Sequence, residues 1–161
     1  MGSNTRSGAP ALNAPVLSRA TAADLPEVIA LERICYGDPW PASAFASLPE
    51  NARVFFTVAR DVGRALWGYV VAWYVMDEGE LANLAVAPAV REQGIGRALL
   101  DSMLDDARSR EIAQIYLEVR ESNFAARQLY ASRGFEEVGK RKGYYRTPKE
   151  DALILRRTLK K

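Results

Sequence analysis

Gly94 and Gly96 stand between an apolar run ending at Val86 and an amphipathic stretch that begins at Arg97. A glycine pair lets the backbone turn tightly and lets a ligand approach with no Cβ in the way. The first amides of a helix starting there have no partners inside it, and its dipole favours negative charge. Arg91 and Arg97 add cationic side chains on either side. Such a segment suits a phosphate or pyrophosphate. A dinucleotide fingerprint would need a third glycine where Leu99 stands. Glu118, 22 residues beyond Gly96, has nearly the spacing of a ribose-binding acid, but too little chain follows to complete such a sheet. A plain turn and a pyrophosphate cradle of another type both stay open, because a glycine pair alone is a weak signal.

The remaining residue types restrict the chemistry. The chain has no histidine and one cysteine, Cys35. Ser-His-Asp and Cys-His catalysis are therefore excluded, as are a Cys/His zinc site and an internal disulfide, and no metal is expected. A general base must be Asp, Glu, Lys, Tyr or water. Cys35 reads as a small apolar helix residue. Gly134 to Arg141 matches GxxxxGK, but Arg141 replaces the magnesium-binding hydroxyl residue and two glutamates would face the phosphates, so it is no P-loop.

These residues need a scaffold. A length of 161 residues fits one domain, expected over residues 15–161 after a disordered lead-in at 1–14 rich in Gly, Ser, Asn and Pro. Val16–Arg19 reads as a strand, and Thr21 with Asp24 resembles a capping box opening a helix to about Cys35. A break at Gly37–Pro41 precedes a short helix near Ser43–Leu48. Val54–Arg60, Leu66–Met76 and Leu81–Val86 read as a three-strand meander. Leu99, Leu100, Met103, Leu104 and Ala107 then recur at helical spacing. Gln114–Arg120 reads as a strand and Asn123–Ser132 as a helix stopped by Gly134; strands at Phe135–Lys142 and Ala152–Thr158 close the chain. The order predicts an α/β fold with a mixed sheet flanked by helices.

Net charge is +2, unevenly spread, with 10 basic and 4 acidic residues from Arg133 onward. Alternating strand positions and a frayed end explain that excess better than a nucleic-acid site, so direct nucleic-acid binding is not expected. No apolar run is long enough for a membrane span, and residues 1–14 lack a secretory pattern, so a cytoplasmic protein is expected.

Arg91-x-x-Gly94-x-Gly96, following Asn83-Leu-Ala-Val-Ala-Pro88, resembles the acetyl-CoA signature of the GCN5-related N-acetyltransferase (GNAT) superfamily. Leu117-Glu118-Val119-Arg120-x-Ser122-Asn123-x-x-Ala126-x-x-Leu129-Tyr130-x-x-x-Gly134-Phe135 resembles, more narrowly, the RimI-type ribosomal-protein alanine N-acetyltransferases. Pro39-Trp40, Tyr144-Tyr145, Pro148 and Glu150-Asp151-Ala152 fit the same group. The resemblance implies a GNAT fold with a mostly antiparallel sheet and acetyl-CoA as co-substrate. It implies that backbone groups of Leu84, Ala85 and Val86 pair with the pantetheine arm. The amides of Glu92, Gln93, Gly94, Ile95, Gly96 and Arg97 would hold the pyrophosphate, and Asn123 the thioester end. By the same resemblance Glu118 would be the general base, Tyr130 the general acid, and a protein N-terminus, on a ribosomal protein, the acceptor.

These roles are chemically coherent. An α-amine has a pKa near 8, so a carboxylate or a bound water suffices to free its lone pair. Glu118 shares strand parity with Tyr116 and Arg120, away from Ile115, Leu117 and Val119. A phenol with a pKa of about 10 stays protonated and can donate to a leaving thiolate. Trp40, Tyr144 and Tyr145 are candidates for the walls of a peptide groove. Acetylation of a lysine or a small amine, and a non-catalytic acetyl-CoA-binding module, are the alternatives.

Overall fold

In the computed structural model, residues 14–160 are described, and the lead-in expected at 1–14 lies outside them except for Ala14. The elements run β1 (Val16–Arg19), α1 (Leu25–Cys35), α2 (Ala42–Phe45), β2 (Val54–Arg60), β3 (Leu66–Val75), β4 (Glu78–Val86), α3 (Ile95–Ser109), β5 (Gln114–Arg120), α4 (Phe124–Ser132), β6 (Glu136–Arg146) and β7 (Lys149–Thr158). The Thr21 amide donates to the Asp24 carboxylate at 2.8 Å, the return half of the expected capping box. The closing strands are longer than the sequence suggests, so Tyr144 and Tyr145 lie within β6. No helix of the described residues is long and apolar enough to cross a membrane.

The seven strands form one sheet in the order β1-β2-β3-β4-β5-β7-β6, antiparallel throughout except for β4 beside β5. Period-two alternation gives each central strand two apolar faces. Val54, Phe56, Val58, Tyr69 and Val71 pack against Val28 and Leu31 of α1 and Phe45 of α2. Val70, Ala72, Ile115 and Leu117 pack against Leu99, Leu100, Met103 and Leu104 of α3. The α3 stripe is fully buried, and truncating any of its large residues to alanine costs about 2–5 kcal/mol.

One irregularity shapes the centre. Val71 pairs with Asn83 and Ala72 with Leu81, which leaves Ala82 as an extra residue on β4. Such a bulge bends its strand and reverses the alternation beyond it. Pairing between β4 and β5 stops at Leu81 and Leu117, although β4 runs on to Val86 and β5 to Arg120. The two central strands therefore part, and a cleft opens between them.

Candidate active site

The cleft holds a cavity of roughly 600 Å³, lined from β4 by Leu81 to Leu84, from β5 by Glu118 to Arg120, and from α4 by Asn123, Ala126 and Tyr130. The α1–α2 connection supplies Tyr36 and Trp40, and β6 supplies Tyr144 and Tyr145. Candidates from distant parts of the sequence thus meet in one place.

Glu118 projects from β5 on the half-buried face that parity predicts. Its carboxylate pairs with the Arg141 guanidinium at 3.1 Å. The Glu118 carboxylate beside the Tyr144 hydroxyl raises the Tyr144 pKa. Burial, reinforced by the Glu118 charge, pushes Tyr145 up to about 12. Tyr130 is 7% exposed and packs edge-on against Phe135, with ring centroids 5.6 Å apart. Burial raises its pKa far above that of an ordinary phenol, so it is protonated at any working pH. Among the described residues no protein group bonds its hydroxyl.

The turn into α3 has the features of an anion cradle. Glu92 and Gly94 have φ of 63° and 84°. A Cβ on Gly94 would meet nothing within 4 Å, so the loop is open on that side. The first turn of α3 carries neither an acidic residue nor a side-chain cap, and its first internal bond runs from the Ala98 amide to the Gly94 carbonyl. The amides before Ala98 are left for an anion. Gly96 faces Leu129, Val86 and Leu84, where a Cβ would lie 3.4–3.9 Å from their methyls. These residues fit the pyrophosphate of acetyl-CoA.

The β4 edge is more occupied than the sequence suggests. The Leu84 carbonyl accepts from the Tyr36 hydroxyl. The Val86 carbonyl accepts from Arg91 Nε at 3.1 Å and lies 3.6 Å from Cys35 Sγ. Antiparallel alternation turns Ala85 toward β3, as it does Ala87, whose amide bonds the Trp67 carbonyl at 2.8 Å. Leu84 and Val86 therefore present their amides to the cleft. Asn123 caps α4 by accepting from the Ala126 amide at 3.2 Å, which leaves its NH₂ for a ligand.

Sequence reasoning missed three groups of polar residues here. Glu32 is 1% exposed and accepts from Asn83 Nδ2 at 2.6 Å, from the Trp40 amide at 3.0 Å and from the Tyr69 hydroxyl. A readable signal existed, since Glu32 shares the apolar stripe of Val28, Leu31 and Cys35. Its bond to the Trp40 amide fixes that loop, and Trp40 then stacks on Trp73 at 5.8 Å. The second group bridges the cavity. Asp38 accepts from the amides of Arg146 and Thr147 and from Arg120, which also holds the Thr147 and Pro148 carbonyls and stacks on Tyr145 at 4.1 Å. The third is Tyr36, whose pKa burial raises, with Tyr130 and Glu32 close by.

The acetyltransferase (GNAT) family model matches residues 25–135. A ribosomal protein bS18-alanine N-acetyltransferase of Escherichia coli K12 is 37% identical over 141 residues, covering 86% of this chain and 94% of that protein. An N-alpha-acetyltransferase RimI of Mycobacterium tuberculosis is 40% identical over 124 residues, 74% of this chain and 76% of its own. Among solved structures, the ribosomal-protein-S18-alanine N-acetyltransferase from Escherichia coli superposes with a TM-score of 0.84 at 35% identity, covering 91% of this chain and 95% of that one.

Proposed function

The chain belongs to the acetyltransferase (GNAT) family, and from that premise we propose that it transfers the acetyl group of acetyl-CoA to the N-terminal α-amine of a protein, a ribosomal protein such as bS18. Its acetyl donor is acetyl-CoA, as in the family at large. The α-amine acceptor rests on relatives of that name that are similar over most of their length. On that reading the reaction takes place in the cytoplasm.

The observation that carries the mechanism is the meeting of Glu118 and Tyr130 in the cleft where β4 and β5 part. The amides of Glu92 to Arg97 hold the pyrophosphate, those of Leu84 and Val86 the pantetheine arm, and the Asn123 NH₂ the thioester end. The acceptor ammonium gives one proton to Glu118, directly or through water. Its lone pair forms the C–N bond at the thioester carbonyl. The C–S bond then breaks and the sulfur takes the Tyr130 proton. The second nitrogen proton returns to Tyr130 by way of solvent.

A panel of acceptors tests the reading. Peptides with free α-amines should be acetylated, and N-terminally blocked lysine peptides and polyamines should lag far behind. Preference for lysine or polyamine would move the acceptor class. Acetyl-CoA binding without turnover on any acceptor would reduce the protein to a binding module.

A further inference from the structure

The Glu118 carboxylate is only 20% exposed, yet its ion-pair partner is not held in place. Arg141 is 56% exposed and lies at the rim. Its other contact is the Tyr144 ring, 5.5 Å away. Arg120, one turn of the pleat further along β5, contrasts with it. That guanidinium is tied by Asp38, Glu150 and two carbonyls, and it cannot leave without breaking all of those contacts. Just after Arg141 the register with β7 breaks, with Lys142, Gly143 and Tyr144 all opposite Asp151, so Arg141 stands at the end of regular pairing. An ion pair with one partner this exposed is weak, because water solvates the freed cation almost as well.

We propose that Arg141 is an exchangeable counterion for the base: it pairs with Glu118 in the free enzyme and yields that place to the ammonium of the incoming acceptor. The inference rests on the proposed function. Both cations compete for one carboxylate, so the exchange conserves charge in the cleft. Arg141 moves to solvent as the ammonium arrives. After acetylation the nitrogen is a neutral amide and no longer pairs with a carboxylate. Arg141 then returns as Glu118 gives its proton to water.

Direct binding tests this without turnover. The probes are a peptide with a free α-ammonium and the same peptide N-acetylated, each titrated calorimetrically into enzyme saturated with CoA. Arg141→Gln should tighten the ammonium peptide by roughly fivefold, the worth of a weak competing pair, and leave the acetylated peptide unchanged. Arg141→Lys should stay near wild type. Lys142→Gln is the control, since Lys142 is exposed and has no ion pair among the described residues. In steady state Arg141→Gln should lower the acceptor KM and leave kcat near wild type. Equal tightening by Arg141→Gln and Lys142→Gln would mean a general charge effect and overturn the exchange. Unchanged or weaker ammonium binding in Arg141→Gln would overturn it too. If the wild type binds no peptide at all, the acceptor class itself fails, which is a different result.

Discussion

At the residue scale, Tyr130 and Glu118 can each be tested apart from packing. Tyr130→Phe keeps the ring against Phe135 and removes a hydroxyl that no described protein group bonds. If that hydroxyl protonates the thiolate, kcat and kcat/KM should fall together by on the order of 10²-fold, with acetyl-CoA affinity little changed. Turnover within about twofold of wild type, with chemistry rate-limiting, would return Tyr130 to the core and leave water as the acid. Glu118→Gln should keep acetyl-CoA binding and lose turnover. The deficit should shrink as pH rises past about 8, because the free amine fraction then grows without a base. A kcat/KM profile matching wild type in height and shape would exclude Glu118. The sequence made both residues legible through their motif alone, since spacing by itself suits a surface glutamate and a core aromatic. Arg141 was legible only as a failed P-loop residue, because its pairing with Glu118 crosses from β5 to β6 with β7 between them.

At the element scale, the proposed function gives acetyl-CoA to the glycine turn and the acceptor to the side of the β6 register break. Gly96 packs under Leu129 and Val86, so the added methyls of Gly96→Val would press into the gap between α3 and α4. Acetyl-CoA affinity should drop more than thermal stability, and Gly96→Ala should be milder; unchanged affinity in a folded valine variant would remove the cradle. Gly143 has φ of 60° and donates its amide to Asp151 at 2.8 Å. Valine at that backbone conformation is strained. Gly143→Val should displace Tyr144 and Tyr145 and raise the acceptor KM, with acetyl-CoA affinity preserved by isothermal titration. A rise confined to acetyl-CoA would contradict the assignment of β6 to the acceptor side. The element order was readable because apolar periodicity switches between two and 3.6 along the chain. The bulge at Ala82, which opens the cleft, was not. No glycine or proline marks it, and it shows only in the register of β3 against β4, where Val71 pairs with Asn83 and Ala72 with Leu81.

At the scale of the whole molecule, four of the ten basic residues from Arg133 onward pair with carboxylates from earlier in the chain. Arg133 meets Asp101, Lys140 meets Glu121, Arg141 meets Glu118 and Lys160 meets Glu111. Three carboxylates that tie distant segments have lowered pKa values. Burial raises Asp24, but the Thr21 amide and Arg60 outweigh it; the Thr147 amide lowers Asp38, and Ser122 lowers Glu150. A depressed folded pKa gives stability that is present above the unfolded value and is lost as pH falls through the folded one. With no histidine to titrate, Tm should be nearly flat from about pH 5 to 8 and fall below about pH 4. A step near neutrality would contradict this electrostatic account.

The central claim is that this cleft acetylates a chain terminus. One peptide carrying both a free α-amine and an internal lysine, incubated with acetyl-CoA and the enzyme, tests it most directly by locating the added acetyl group by fragmentation mass spectrometry. The account predicts acetyl on the α-amine, with the lysine left free until the terminus is consumed. Acetyl on the lysine first, or on neither group while acetyl-CoA is bound, would contradict it.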